Sequence, residues 1–126
     1  MSELQFPYDI VNFGFNKLTL KVKFGENLYY YVCIQKNGEK INVKVVRQRY
    51  HQTYAGPAPG YKTILVGSVN IRELKFETQY ENIDRKEDRG AIRFALDLSW
   101  EMLRMPINIL KYAKGFYYDW SKPEGC

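Results

Sequence analysis

From Lys17 to Arg47 apolar and polar residues alternate through three runs, KLTLKVKF, LYYYVCIQK and EKINVKVVR, separated by GEN and NG. Alternation with period two puts successive side chains on opposite faces of a strand, so the pattern predicts a three-stranded antiparallel meander over residues 17–47. Asn37-Gly38 signals a two-residue hairpin, because both residues tolerate positive φ. A turn there sets Ile34 against Ile41, Val32 against Val43 and Tyr30 against Val45. A three-residue turn at Gly25-Glu26-Asn27 sets Phe24 against Leu28, Val22 against Tyr30, Leu20 against Val32 and Leu18 against Ile34. Both hairpins give the middle strand the same apolar face, and a one-residue slip in either would turn lysines inward.

On the opposite face this register predicts three rows: Lys21, Tyr31 and Lys44; Lys23, Tyr29 and Val46; Lys17, Gln35 and Lys40. Tyrosines then run down the middle with lysines on both sides.

Beyond the meander, QRYHQTYAGPAPGY at residues 48–61 is dense in glycine and proline and reads as a long Gly/Pro loop. Lys62 to Val69 is a short apolar, β-branched run, and residues 73–80 alternate, which predicts two further strands. Residues 81–90 are mostly charged; their acids suit a helix N-terminus and lack the spacing of a calcium loop. Helical periodicity follows over about 88–105, with Ile92, Ala95, Leu96, Ser99 and Leu103 on one face, widened by Phe94, Leu98 and Met105. Pro106 ends that helix and suits the first position of a second, about 106–114, which Gly115 stops. Residues 1–16 read as an N-terminal arm of core-plugging aromatics with a short strand at Tyr8 to Asn12, and residues 116–126 as an aromatic tail. The predicted fold class is α+β: an antiparallel sheet of about five strands packed by one or two C-terminal helices. The apolar arc on the first helix exceeds what one sheet face covers, which predicts a homodimer packed through this helix or the tail after Pro106, with Phe94 or Leu98 near the seam.

Length and charge refine this picture. At 126 residues and 45% hydrophobic content the chain suits one domain. The net charge of +5 is unevenly spread. Residues 1–68 carry nine Lys or Arg against four acids, and residues 69–126 carry ten of each. The strand-rich half is therefore the basic half, and an acidic partner is expected for it. Two cysteines are too few to staple a domain of this size; Cys33 falls mid-strand and Cys126 in the tail, so free thiols and a cytoplasmic location are expected. No apolar run reaches membrane-spanning length, so no membrane partner is expected.

Catalytic chemistry is sparse. The single histidine excludes two-histidine sites, and no phosphate-binding loop, nucleophile elbow or metal motif is present, so neither cofactor nor metal is expected. Arg47, Arg49, Tyr50, His51 and Tyr54 could grip a phosphate and stack on a ring, which leaves open a phosphorylated small-molecule binder or a small metal-independent ribonuclease. The leading expectation is a non-enzymatic binder of single-stranded nucleic acid, with Lys21, Lys23, Tyr29, Tyr31 and Lys44 joining that set in stacking bases and neutralising the backbone. The alternative is an inhibitor or adaptor, of viral or immunity type, for an acidic protein partner.

Overall fold

A computed structural model describes residues 7–126. Six strands follow one another as β1 (Tyr8–Phe13), β2 (Lys17–Gly25), β3 (Leu28–Asn37), β4 (Lys40–Thr53), β5 (Gly56–Asn70) and β6 (Lys75–Glu81). Two helices, α1 (Lys86–Arg104) and α2 (Pro106–Lys111), lead to a two-residue strand β7 (Gly115–Phe116). The sheet runs β6-β5-β4-β3-β2-β1-β7, antiparallel except that β7 lies parallel to β1. The α+β class is as predicted, with seven strands rather than five. Among the described residues β1 falls where the short strand at Tyr8 to Asn12 is expected, whereas β7, two residues long, is too short to declare itself by alternation.

The β2–β3 register matches the expectation from Leu18↔Ile34 through Val22↔Tyr30. It departs only at Phe24, where Gly25 pairs with Leu28 instead. Asn27 takes the left-handed φ of 59° in that turn, and the Phe24 ring packs edge-on against Tyr30 at 4.9 Å. The β3–β4 register is shifted by two residues from the one predicted: Ile34 pairs with Val43, Val32 with Val45, and Tyr30 with Arg47. The turn is Gly38-Glu39, closed by Asn37↔Lys40, with Gly38 at φ 63°. Glycine alone supplies the left-handed residue there, so Asn37 stays in the ladder. A shift of two preserves which face each side chain points to, and the apolar face survives intact. The rows change: Lys21–Tyr31–Val46, Lys23–Tyr29–Gln48, and Thr19–Cys33–Lys44.

The expected loop at 48–61 is instead the outer half of a long hairpin. β4 and β5 stay paired to Thr53↔Gly56, with Pro57 opposite Gln52 and Pro59 opposite Tyr50. Thr53 Oγ1 donates to the Gly56 carbonyl at 2.5 Å across the tip. β6 pairs with β5 only from Leu65 onward, so both prolines sit where β5 has a free edge and no second ladder needs their missing N–H.

The main core lies between α1 and one sheet face, where Leu20, Val22, Val32, Val45, Ile64 and Leu98 are all buried. Phe94 and Leu98, expected near a dimer seam, are among the buried residues, because the sheet, Tyr8 of β1 and α2 cover that part of the α1 arc, while Met105 at its end is exposed. Tyr8 crosses under α2, its ring 5.8 Å from Phe94 and its hydroxyl donating to the Ile109 carbonyl at 2.8 Å. Of the arm's other aromatics, Phe13 and Phe15 are exposed rather than core plugs, and Phe6 lies outside the described residues. No described helix is long and apolar enough to cross a membrane.

Candidate functional site

The part of the tyrosine and lysine face around Lys21, Tyr31 and Cys33 is covered by residues 117–126 of the chain itself. Lys21, Lys23, Tyr29, Tyr31 and Lys44 lie on this face, with Tyr50 farther along it. Tyr31 is fully buried; its hydroxyl donates to Asp119 Oδ2 at 2.6 Å and lies 3.2 Å from Ser121 Oγ. Lys21 Nζ pairs with the same carboxylate oxygen at 2.8 Å and stands over the Tyr29 ring at 4.5 Å. Asp119 Oδ1 accepts from the Ser121 hydroxyl and amide at 2.6 and 2.9 Å. The Ser121 carbonyl in turn accepts from Gln48 Nε2 at 3.0 Å and from the Tyr61 hydroxyl at 2.5 Å. Burial opposes the charge on Asp119, but the hydrogen bonds from Lys21, Ser121 and Tyr31 outweigh it and hold the pKa down at about 2. Burial and the Asp119 partner drive the Tyr31 pKa well above the usual phenol range.

Cys33 and Cys126 form a disulfide with Cα atoms 5.2 Å apart, in place of the expected free thiols. The tail brings them together because it folds back across the sheet instead of hanging loose. Val11, Tyr31, Cys33, Val46 and Cys126 make a small second cluster beneath it. Asp119 and Ser121 carry no periodic or motif signal, and only the folded geometry joins them to Lys21 and Tyr31.

Arg47 points to the other face, where it is already engaged. Its Nη1 contacts Asp84 at 2.5 Å and Asp88 Oδ2 at 3.0 Å; Lys62 pairs with Asp84, and the Tyr30 hydroxyl donates to Asp88. Asp88 is fully buried and also accepts the backbone N–H groups of Asp84 and Arg85 at 3.1 and 3.2 Å, which caps α1. Hydrogen bonds from Arg47 and Lys62 hold Asp84 far below the usual carboxylate range. Arg47 and Lys62 are thus paired with carboxylates of the chain itself.

Arg49 and His51 follow Arg47 on the same side by alternation, and Tyr54 is exposed at the hairpin tip. The sequence cluster 47–54 is thus split: Tyr50 faces the tail side, its ring 6.4 Å from that of Tyr29, while Arg49 and His51 face away from it. The His51 ring lies over Gly60, and a Cβ there would meet Nδ1 at 3.3 Å.

A second surface was not singled out in the sequence. Where the β1–β2 turn meets α2, Phe13, Phe15, Leu18, Met102, Ile107 and Leu110 line a groove of about 370 Å³ with Lys17 and Lys36 on its wall. Phe15 is 99% exposed and Ile107 64%. Phe13 continues the surface to Phe116, ring centres 6.4 Å apart, around an adjoining hollow of about 420 Å³. No family model, curated protein or solved structure matches this chain.

Proposed function

We propose that this chain is a non-enzymatic binding protein that docks a protein partner through the apolar end formed by Phe13, Phe15, Ile107, Leu110 and Phe116. The observation that carries the reading is the exposure of these side chains together around one groove, where scattered single exposures would need no explanation. Aromatic and aliphatic anchors of this kind supply most of the affinity in protein interfaces. Lys17 and Lys36 on the groove wall, with Lys111 and Lys114 on and after α2, favour a segment whose apolar residues are flanked by acids. The inhibitor or adaptor class fits this best. Panning a peptide library against the full chain should enrich apolar peptides with acidic flanks that bind Leu110→Asp at least tenfold more weakly. Enriched peptides indifferent to Leu110→Asp would overturn the reading, and a concentration-dependent doubling of mass abolished by Leu110→Asp would make a second copy of the chain the occupant.

A second reading, single-stranded nucleic acid, draws on the open end of the tyrosine face. Tyr29 and Tyr50 remain partly exposed there beside Lys23. A cytosolic setting stays part of the proposal, and a reducing compartment would act on the Cys33–Cys126 bridge.

A further inference from the structure

We propose that the face under residues 117–126 is a binding site for an acidic peptide, occupied in this state by the chain's own Asp119-Trp120-Ser121 and latched by the Cys33–Cys126 disulfide.

The segment is held as a ligand is held. Tyr117 and Cys126 tie its two ends to β1, through the Tyr117 amide on the Ile10 carbonyl and Asn12 Nδ2 on the Cys126 carbonyl. Between them it adds no strand to the sheet, and Asp119-Trp120-Ser121 is anchored by one carboxylate and one carbonyl received by Lys21, Tyr31, Gln48 and Tyr61. Its large rings do not enter the core: Tyr118 is 85% exposed and Trp120 74%. The receiving side chains come from β2, β3, β4 and β5 and converge on one spot, the arrangement of a preformed polar pocket. Lys21 Nζ is the part-buried cation that selects a carboxylate, and the Tyr31 hydroxyl fixes that carboxylate's direction. The Tyr61 hydroxyl with the Gln48 amide receives the backbone carbonyl two residues on.

The chain's own segment also fits imperfectly. Gln48 is fully buried and its Oε1 accepts no hydrogen bond among the described residues. An unmatched acceptor at this depth is costly, and a peptide that offered an N–H there would remove that cost. The site therefore discriminates in favour of a better occupant once the tethered one can leave.

The bridge decides whether it can leave. While it is intact, the local concentration of Asp119 at the pocket is far above that of any free peptide. A dithiol reductant opens it by exchange: one thiolate attacks a bridge sulfur, the second resolves the mixed disulfide, the reductant leaves as its own disulfide, and Cys33 and Cys126 each take up a proton. The main core lies on the opposite face, with α1, so opening leaves it packed. This proposal concerns a surface separate from the apolar end and does not depend on the partner read there.

The test uses the full chain oxidised, reduced with dithiothreitol, and as Cys126→Ser. Its probe is a fluorescent synthetic peptide of residues 116–125, FYYDWSKPEG, and its Asp119→Asn counterpart. Reduced chain and Cys126→Ser should bind the peptide at least tenfold more tightly than oxidised chain, and the Asn peptide should bind at least tenfold more weakly. Amide exchange over 117–126 should speed up at least tenfold on reduction while β2–β5 stay protected. Equal binding in both redox forms, unchanged exchange of the tail, or loss of protection throughout the sheet on reduction would each overturn the proposal, the last by making the bridge structural.

Discussion

Tyr30 and Arg47 stand opposite each other in β3 and β4, and both reach the buried carboxylate of Asp88 at the start of α1. The pair ties the sheet to the helix through a charge that has left water, and a buried carboxylate without its cation is strongly destabilising. Arg47→Met should lower unfolding free energy in urea by about 3–5 kcal/mol. Arg49→Met, an exposed neighbour two residues on, should change it by no more than about 0.5 kcal/mol.

Acid should release the tail before it unfolds the sheet. The Asp119 pKa is held at about 2, below the roughly 3.9 of an unfolded chain. A depressed pKa contributes stability that is complete above pH ~4 and is lost as pH falls from there toward 2. Exchange of the Ser121 amide, which donates to Asp119, should therefore accelerate across that window. In Asp119→Asn the acceleration should be absent, since the group no longer titrates.

Gly67 is a packing requirement of β5. A Cβ there would stand 2.8 Å from the Glu77 carbonyl oxygen of β6, with the Phe76 ring closer still. Gly67→Ala should force β6 outward and cost about 1–3 kcal/mol, read by thermal melting together with faster exchange over 75–81.

Nucleic acid, if it binds, should bind at the end the tail leaves open. Tyr50→Ala should then weaken an oligonucleotide by about 1–3 kcal/mol with little change in salt slope, whereas Lys23→Ala should lower the slope by roughly 0.7. Wild-type chain that binds no oligonucleotide tighter than about 100 μM, the weak limit of nonspecific association, would remove this reading.

What the sequence made legible followed from parity. A slip of one residue in β2–β3 would bury Lys21 and Lys23, so the pattern specified that register; a slip of two in β3–β4 exchanges Val43 for Ile41 opposite Ile34 and costs the pattern nothing. Composition misled at 48–61, because Pro57 and Pro59 signal a loop locally and are tolerated in a strand whose outer edge is free. The candidate sites were hidden for a different reason. Asp119 lies 88 residues from Tyr31 and 98 from Lys21, and nothing in its own neighbourhood marks it as their partner. Phe13 and Phe15 carry the composition of core residues, and only the position of α2 decides that they face outward.

The bridge also fixes how the molecule bears load. Cys33 and Cys126 are 93 positions apart, so tension applied between residues 7 and 126 passes along β1, β2 and the first half of β3 and then across the sulfurs. Everything from β4 through α2 is bypassed. Pulled in the oxidised state, the chain yields only its first strands; pulled after reduction, it pays out the sequestered 93 residues, about 300 Å of extra contour at roughly 3.3–3.6 Å per residue.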